Sequence, residues 1–394
     1  MLPSIPPKYF LPLIGLAVSA FVFNTSEFMP IALLTDISAS FGKTPAETGI
    51  MITTYAWVVG LLSLPLMLAV CRMNPKRLLL PVLALFAAGQ IGSGLAPSFA
   101  VLMSARIAVA CAHAIFWSIT APYATRLVTR EHQPFALSCV ATGSAIAMIF
   151  GLPIGRVIGL ALGWRMTFLC IAGITLLALL YLWRVFPQLS GGGQPFAVRD
   201  LPALVRTPAV FGCFFLSVTF ATGYFTVYSY IEPYLGMVAG FSPDAITETL
   251  MALGVFGFFG SVLFSRMYGT HRTACLLLGS CGIPVCALLY VFGVSIPPVL
   301  VAVCLALGMI STLFNITMQA ELLCATSRKA APVATSIYSG LFNVGIGGGT
   351  AIGSFIAGAG QLPGIGFVSA AITALAAAYC IFIFLPGLRK KSAA

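Results

Sequence analysis

Long apolar stretches separated by short polar breaks run along the whole chain. Twelve of them are long enough for a helix to cross a bilayer, which takes about 20 apolar residues. They fall at roughly 9–37, 44–70, 77–95, 98–127, 133–160, 165–186, 209–237, 243–267, 273–292, 297–325, 330–358 and 363–387. The pattern predicts an all-α integral membrane protein with 12 transmembrane helices.

The composition agrees with this pattern and excludes a water-soluble domain. Of 394 residues, 60% are hydrophobic and 7% are charged, whereas soluble domains carry roughly 25% charged residues. The net charge of +11 does not indicate a nucleic-acid partner, because the basic residues occur as small groups between apolar runs. The eleven cysteines include no C-x-x-C pair, so we expect no metal site.

The distribution of basic residues predicts the orientation of the chain. Cytoplasmic loops carry an excess of Lys and Arg. Of the twenty Lys and Arg, all but Lys43, Arg106, Arg156 and Arg165 fall at the termini and in alternate loops, including the 187–208 loop. Both termini are therefore expected in the cytoplasm.

A hydrophilic, glycine-containing stretch divides the predicted spans six and six. The expected units are an N-terminal six-helix bundle at 1–187, a cytoplasmic linker at 188–207 and a C-terminal six-helix bundle at 208–394. The halves resemble each other, since small residues recur every fourth position in spans five and eleven: Gly143, Ala147, Gly151, Gly155 and Gly159, and Gly345, Gly349, Gly353 and Ala357. Such stripes allow close helix packing. Two parallel repeats place a substrate site between the halves near the membrane midplane.

Three local motifs carry a family resemblance. Arg106 lies within "SARIAVACAHAIFWS", "GSAIAMIFGLPIGRVIG" follows in span five, and "GWRMTF" opens span six. These resemble the major facilitator superfamily (MFS) and its twelve-span drug/proton antiporter group. A fourth motif, after span two, departs from the family pattern: Cys71 and Asn74 stand where the family has Asp and Gly, although basic residues remain.

More specifically, "FVFNTSEFMPIALLTDIS" and "MITTYAWVVGLLSLPLML" resemble the bacterial sugar efflux transporters of the SotB type. The resemblance implies proton-driven export of sugars such as arabinose, or of thiogalactosides such as IPTG, across a bacterial inner (cytoplasmic) membrane. We expect a transporter without a cofactor and without enzymatic activity. We expect a monomer whose partners are the sugar, protons and membrane lipid.

Three ionisable residues inside the predicted spans are candidates for proton coupling, because such groups are costly in hydrocarbon. Glu27 lies in span one, where a carboxylic acid that loads on one side and releases on the other would couple transport to protons. His113 lies mid-span in helix four and suits proton transfer or hydrogen bonding to a hydroxyl. Arg106 lies in the same helix. The alternatives are a fixed Glu27–Arg106 ion pair and a satisfied core histidine.

The candidate substrate-binding residues are polar or aromatic side chains expected near the midplane. Amides bind sugar hydroxyls and aromatic rings stack on apolar sugar faces; the alternative for each aromatic is ordinary packing. Glu232 in "YIEP" echoes Glu27 in "SEFMP", with capping of a helix end as its alternative. The full set is Asn24, Glu27, Tyr55, His113, Trp117, Tyr228, Glu232 and Asn343.

The other charged residues have simpler interpretations. Arg156 and Arg165 are expected to snorkel at the outer interface, and Glu321 is expected to pair with Arg328 near one end of span ten. A drug exporter, for example of an amphenicol, remains an alternative in the same class. A membrane-embedded enzyme or receptor would call for a nucleophile–base pair, a metal cluster or a soluble sensing domain. The chain has no H-E-x-x-H, G-x-S-x-G or Walker motif, which argues against that class.

Overall fold

The computed structural model describes residues 7–70, 73–129, 132–188, 201–327 and 330–388. Its first half contains α1 (Pro7–Ala32), α2 (Leu34–Ser40), α3 (Pro45–Thr48), α4 (Ile50–Val70), α5 (Pro75–Gly94), α6 (Phe99–Arg126), α7 (Gln133–Ile146), α8 (Leu152–Leu162) and α9 (Trp164–Val185). Its second half contains α10 (Leu201–Arg206), α11 (Pro208–Tyr228), α12 (Ile231–Pro233), α13 (Pro243–Met267), α14 (Arg272–Phe292), α15 (Pro297–Ala325), α16 (Ala331–Gly358) and α17 (Ile365–Tyr379). No strand occurs in these ranges.

The described helices form twelve segments that are long and apolar enough to cross a membrane. In chain order, spans one to six are α1, α3–α4, α5, α6, α7–α8 and α9. Spans seven to twelve are α11–α12, α13, α14, α15, α16 and α17. The predicted fold class and the count of twelve are confirmed. The predicted segment 297–325, for example, coincides with α15.

Local sequence signals explain where several spans begin. Asn74 accepts hydrogen bonds from the amides of Lys76 and Arg77 and precedes Pro75, the first residue of α5. Ser98 and Ser242 cap α6 and α13 in the same way, with one amide each. A side-chain acceptor followed by proline is a typical helix start, because proline has no amide that would need a partner.

Contacts divide the chain into two compact units. The first unit comprises residues 1–33 and 61–195, and the second comprises residues 34–60 and 196–394. The segment 34–60, which contains α2, α3 and the start of α4, therefore packs with the C-terminal helices. The division predicted at 187–208 stays a prediction, and residues 189–200 of that linker lie outside the described ranges.

Within the first unit, the stripe of small residues in span five packs against α1. A side chain added at Gly143 would meet the Ala17 backbone, and additions at Gly151, Gly155 and Gly159 would meet Thr25, Met29 and Leu33. The two helices thus advance together in steps of four residues, which is the close approach that small residues permit. The stripe serves packing inside its own unit.

The second unit repeats this arrangement with spans seven and eleven. Additions at Gly345, Gly349 and Gly353 of α16 would meet the backbone of α11, between Val218 and Thr226. The internal repeat seen in the sequence is therefore also a repeat of contacts: span five on span one, and span eleven on span seven.

Two spans are interrupted where the sequence predicts continuous helix. The segment 9–37 predicted for span one is interrupted at a single residue, Leu33, which separates α1 from α2. In span seven, Ser229 and Tyr230 separate α11 from α12. Short π-helical turns follow or interrupt spans five, seven and twelve at Ala147–Gly151, Tyr234–Val238 and Cys380–Phe384. The hydrophobic pattern does not show these irregularities, because none of the residues in them is charged and the apolar stretches continue across them.

Candidate functional site

The first unit holds a buried arginine whose position follows from a proline in span one. Pro30 has no amide hydrogen, so the carbonyl of Ser26, four residues earlier, has no partner from the helix ladder. Arg106 of α6 donates to that carbonyl through Nη2 at 3.0 Å and to the Ser26 hydroxyl through Nη1 at 3.0 Å. Only 2% of Arg106 is exposed. The guanidinium thus replaces the helix bond that Pro30 removes.

A second buried residue of this cluster was not predicted from the sequence. Gln90 of α5 is fully buried and its amide hydrogen-bonds to the Ser26 hydroxyl. Ser26 therefore connects span one with spans three and four. The signal for Gln90 was present, since it is the one amide in the apolar stretch "LFAAGQIGSG".

Glu27 and His113 form the one contact between an acid and a base in this part of the described first unit. The Nε2 atom of His113 lies 3.6 Å from Oε2 of Glu27. The His113 side chain is 3% exposed and the Glu27 side chain 10%. The Arg106 guanidinium acts electrostatically on both groups. The structure therefore brings the three residues predicted for proton coupling together, with Glu27 retaining some accessible surface.

Aromatic rings enclose this acid–base pair. Phe23 of α1 stacks between Phe86 and Phe116, with ring centroids 3.8 Å and 4.0 Å away. These three rings are fully buried, so they are core packing. Trp117 is only partly buried and its ring lies 6.1 Å from the His113 ring. Among the aromatic candidates of the first unit, Trp117 has surface available next to the pair.

Asn24 lies one turn before Glu27 on α1 and is partly buried. Spacing of three residues places the two side chains on neighbouring positions of the helix surface. The first unit thus contains Asn24, Glu27, Arg106, His113 and Trp117.

The second unit contains the other four candidates, of which Asn343 is the most informative. It is 7% exposed and its Nδ2 donates to the Ser339 carbonyl at 3.0 Å. Its Oδ1 is buried and has no hydrogen-bond partner among the residues that the structure describes. A buried acceptor left unpaired costs about 1–3 kcal/mol. This oxygen is therefore suited to receive a hydrogen bond from a bound hydroxyl.

Tyr228 and Tyr55 differ in accessibility. Tyr228 is partly exposed and stacks on Tyr224, with the ring centroids 5.1 Å apart. Tyr55 is 2% exposed, which leaves its ring little surface for a ligand.

The Glu232 carboxylate accepts hydrogen bonds from another residue of the chain. Its Oε2 accepts from the hydroxyl of Thr35 at 2.7 Å and from the Thr35 amide at 3.3 Å. Glu232 is 5% exposed. This arrangement is close to the capping role given as its alternative, although the backbone that it holds belongs to α2 rather than to its own helix.

Arg156 does not snorkel at an interface as the sequence suggested. It is 2% exposed and its guanidinium donates to the carbonyl of Ala32, the last residue of α1. Arg165 is partly buried, donates to the Ala96 carbonyl at 3.2 Å and lies over the Trp164 ring.

Glu321 has partners that the sequence did not predict. It is 1% exposed, and Arg272 binds it with two donors, Nε at 2.5 Å from Oε1 and Nη2 on Oε2. The Tyr268 hydroxyl donates to the same carboxylate at 2.8 Å. Arg328, the expected partner, lies outside the described residues, as does Arg72 of the motif after span two.

The described residues contain no group of three or more His, Cys, Asp or Glu side chains that could hold a metal ion. The described helices do bury a few ionisable side chains, namely Arg106, His113, Arg156, Glu232 and Glu321. Ionisable side chains inside apolar helices are candidates for solute and proton pathways in membrane proteins.

Comparison with known proteins agrees with this architecture. The sequence pattern of the Major Facilitator Superfamily matches residues 16–323. Two crystal structures of a bacterial homolog of the human lysosomal transporter Spinster have similar folds. The inward-facing, occupied form has a TM-score of 0.75 at 15% identity, covering 96% of this chain and 97% of that chain. The inward-facing, unoccupied form has a TM-score of 0.72 at 16% identity with the same coverage. With twelve apolar spans and a family match over most of its length, this chain belongs to the Major Facilitator Superfamily of membrane transporters.

Proposed function

We propose that this transporter exports a small polar solute in exchange for protons, with sugars such as arabinose and thiogalactosides such as IPTG as its substrates. The observation that carries the proposal is the contact between Glu27 and His113, 3.6 Å apart beside a buried arginine. The sequence resemblance to sugar efflux transporters supplies the substrate class.

Proton coupling follows from the chemistry of the pair. A carboxylic acid and an imidazole in contact can hold one proton between them, and gaining or losing that proton changes the net charge in an apolar interior. Arg106 is fixed by Ser26, so its positive charge stays beside the pair whatever the protonation state. Because uncompensated charge is costly there, each protonation state favours a different arrangement of the surrounding helices. That difference is what drives alternating access.

Substrate recognition is assigned to polar groups with unused capacity. In the second unit, Asn343 offers a buried acceptor and Tyr228 a partly exposed hydroxyl-bearing ring. In the first unit, Asn24 and Trp117 are partly buried beside Glu27 and His113. Amides suit hydroxyl groups, and rings suit the apolar faces of a sugar. Tyr55 and Glu232 are better assigned to holding the chain, given their burial and the Thr35 bonds.

The proposal includes the orientation predicted from the basic residues, with both termini in the cytoplasm of a bacterium. In that orientation, the proposed exchange moves the substrate out of the cytoplasm while protons move in.

Counterflow in proteoliposomes tests the substrate class. Labelled arabinose and a labelled thiogalactoside are each offered to vesicles preloaded with unlabelled sugar, with and without an imposed proton gradient. We expect accumulation of at least one sugar and a stronger response when the gradient is present. Movement of an amphenicol with neither sugar transported would replace the sugar proposal with drug export.

A further inference from the structure

Main-chain groups on both sides of the interruption in span one form hydrogen bonds to charged side chains. In a continuous helix the Ala32 carbonyl would accept from the amide of residue 36, and the Thr35 amide would donate to residue 31. Here Leu33 breaks the helix between them. The Ala32 carbonyl accepts from the Arg156 guanidinium, and the Thr35 amide and hydroxyl donate to the Glu232 carboxylate.

The two charged residues belong to different units. Leu33 is the last residue of the first segment of unit one, and Leu34 is the first residue of unit two. Arg156 holds the end of α1 within the first unit, and Glu232 holds the start of α2 within the second. Each unit therefore supplies one buried charge to its own side of the break.

Both contacts involve charged side chains that are almost fully buried. Arg156 is 2% exposed and Glu232 is 5% exposed. Removing a charge from water costs several kcal/mol unless strong hydrogen bonds replace its hydration. The hydrogen bonds found here include main-chain groups at the break, so the side chains and the break stabilise each other.

Span seven provides an internal comparison. It is the counterpart of span one in the repeat and breaks at Ser229–Tyr230. There the Ser229 hydroxyl bonds to the Thr350 hydroxyl at 2.7 Å, and both residues belong to the second unit. The break inside one unit is thus held by a bond between neutral groups, whereas the break at the boundary of the two units is held by an arginine and a glutamate.

We propose that Arg156 and Glu232 are positioning residues that hold the two sides of the span-one break, so that α1 stays with the first unit and α2 with the second. This role does not depend on which solute is transported or on proton coupling.

Hydrogen–deuterium exchange of the purified full chain, read by mass spectrometry on peptides covering residues 33–41, tests the proposal. Loss of a hydrogen bond to a charged group is worth about 1.5–3 kcal/mol, or roughly 10- to 100-fold in an opening equilibrium. We expect Glu232→Leu to speed exchange in this segment about tenfold or more. Arg156→Met should speed exchange by a similar factor in peptides that cover the end of α1, residues 26–33. Peptides covering α5 should be unchanged. Glu232→Gln retains an acceptor oxygen and should stay within about threefold of the parent protein.

Arg165→Met is the matched control, because Arg165 also donates to a main-chain carbonyl, Ala96, in the same unit. It should leave exchange at 26–33 and at 33–41 unchanged. Unaltered exchange at 33–41 in Glu232→Leu, together with unaltered exchange at the end of α1 in Arg156→Met, would overturn the proposal if both proteins retain their thermal transition. An equal rise in α5 would also overturn it, since that result describes general destabilisation. Because no substrate is needed, failure here is distinguishable from failure of the sugar-export proposal.

Discussion

The ion pair between Arg272 and Glu321 allows a quantitative test of how the second unit is held together. Arg272 opens α14, Glu321 lies near the end of α15, and Tyr268 follows α13, so the cluster joins three spans. Replacing Arg272 by Leu leaves a carboxylate that is 1% exposed with the Tyr268 hydroxyl as its remaining partner in the cluster.

The expected loss follows from the burial of each partner. Breaking a buried ion pair by removing one member costs about 3–5 kcal/mol. The Arg272 side chain is 43% exposed, so water reaches the vacated position, and we take the lower end, about 3 kcal/mol. For a cooperative unit of about 200 residues, 1 kcal/mol shifts Tm by about 2–4 °C. Arg272→Leu should therefore lower Tm by about 6–12 °C.

Thermal unfolding of the purified protein in detergent measures this shift. Arg266→Leu is the control, because Arg266 is an exposed arginine of α13, and it should change stability by less than about 0.5 kcal/mol. Combining Arg272→Leu with Glu321→Leu removes both buried charges, so the double variant should be more stable than Arg272→Leu alone. Equal Tm values for Arg272→Leu and the parent protein would refute the reasoning. So would a double variant whose loss is the sum of the two single losses.

Two further substitutions test the helix contacts of each unit by the same assay. Ser26→Ala removes the hydroxyl that receives Arg106 and should destabilise the protein by about 2 kcal/mol, whereas Ser93→Ala, which loses a bond within its own helix to Gly89, should cost less than about 1 kcal/mol. Similar losses for the two serines would show that the bonds from Arg106 and Gln90 to the Ser26 hydroxyl add nothing. Gly349→Ala places a methyl group against the backbone of α11 and should prevent normal folding or lower Tm strongly, while Gly348→Ala, whose added carbon would have ordinary contacts near 3.7 Å, should be tolerated. Equal tolerance of both would contradict the packing of α16 on α11.

The fold could be predicted because it follows from the amino-acid composition and from the length and spacing of the apolar stretches. Few charges and twelve long apolar runs leave lipid as the only solvent for the surface, and proline or a capping residue marks the start of several spans. The breaks could not be predicted. Prolines also lie inside α4, α5 and α14 without ending those helices, so Pro30 alone did not identify Leu33.

Some residues of the candidate site could also be predicted from the composition of the helices. Glu27, Arg106 and His113 stood out because ionisable residues are rare in apolar helices. Their partners depend on tertiary packing. Ser26 is one of many serines in the sequence. It stands out only once Pro30 is seen to leave the Ser26 carbonyl without a partner in the helix. Likewise, Arg272 is 49 residues from Glu321, whereas the sequence favoured the nearby Arg328.

The central claim is that the Glu27–His113 pair holds the proton that drives the proposed export. Glu27→Gln preserves the size of the side chain and its hydrogen-bonding capacity but cannot exchange a proton. Gradient-driven uphill transport of the labelled sugar should be abolished in this variant, while sugar–sugar exchange, which needs no net proton movement, should persist. Glu248→Gln, at an exposed carboxylate of α13, should leave both activities intact. Undiminished uphill transport by Glu27→Gln would contradict the account.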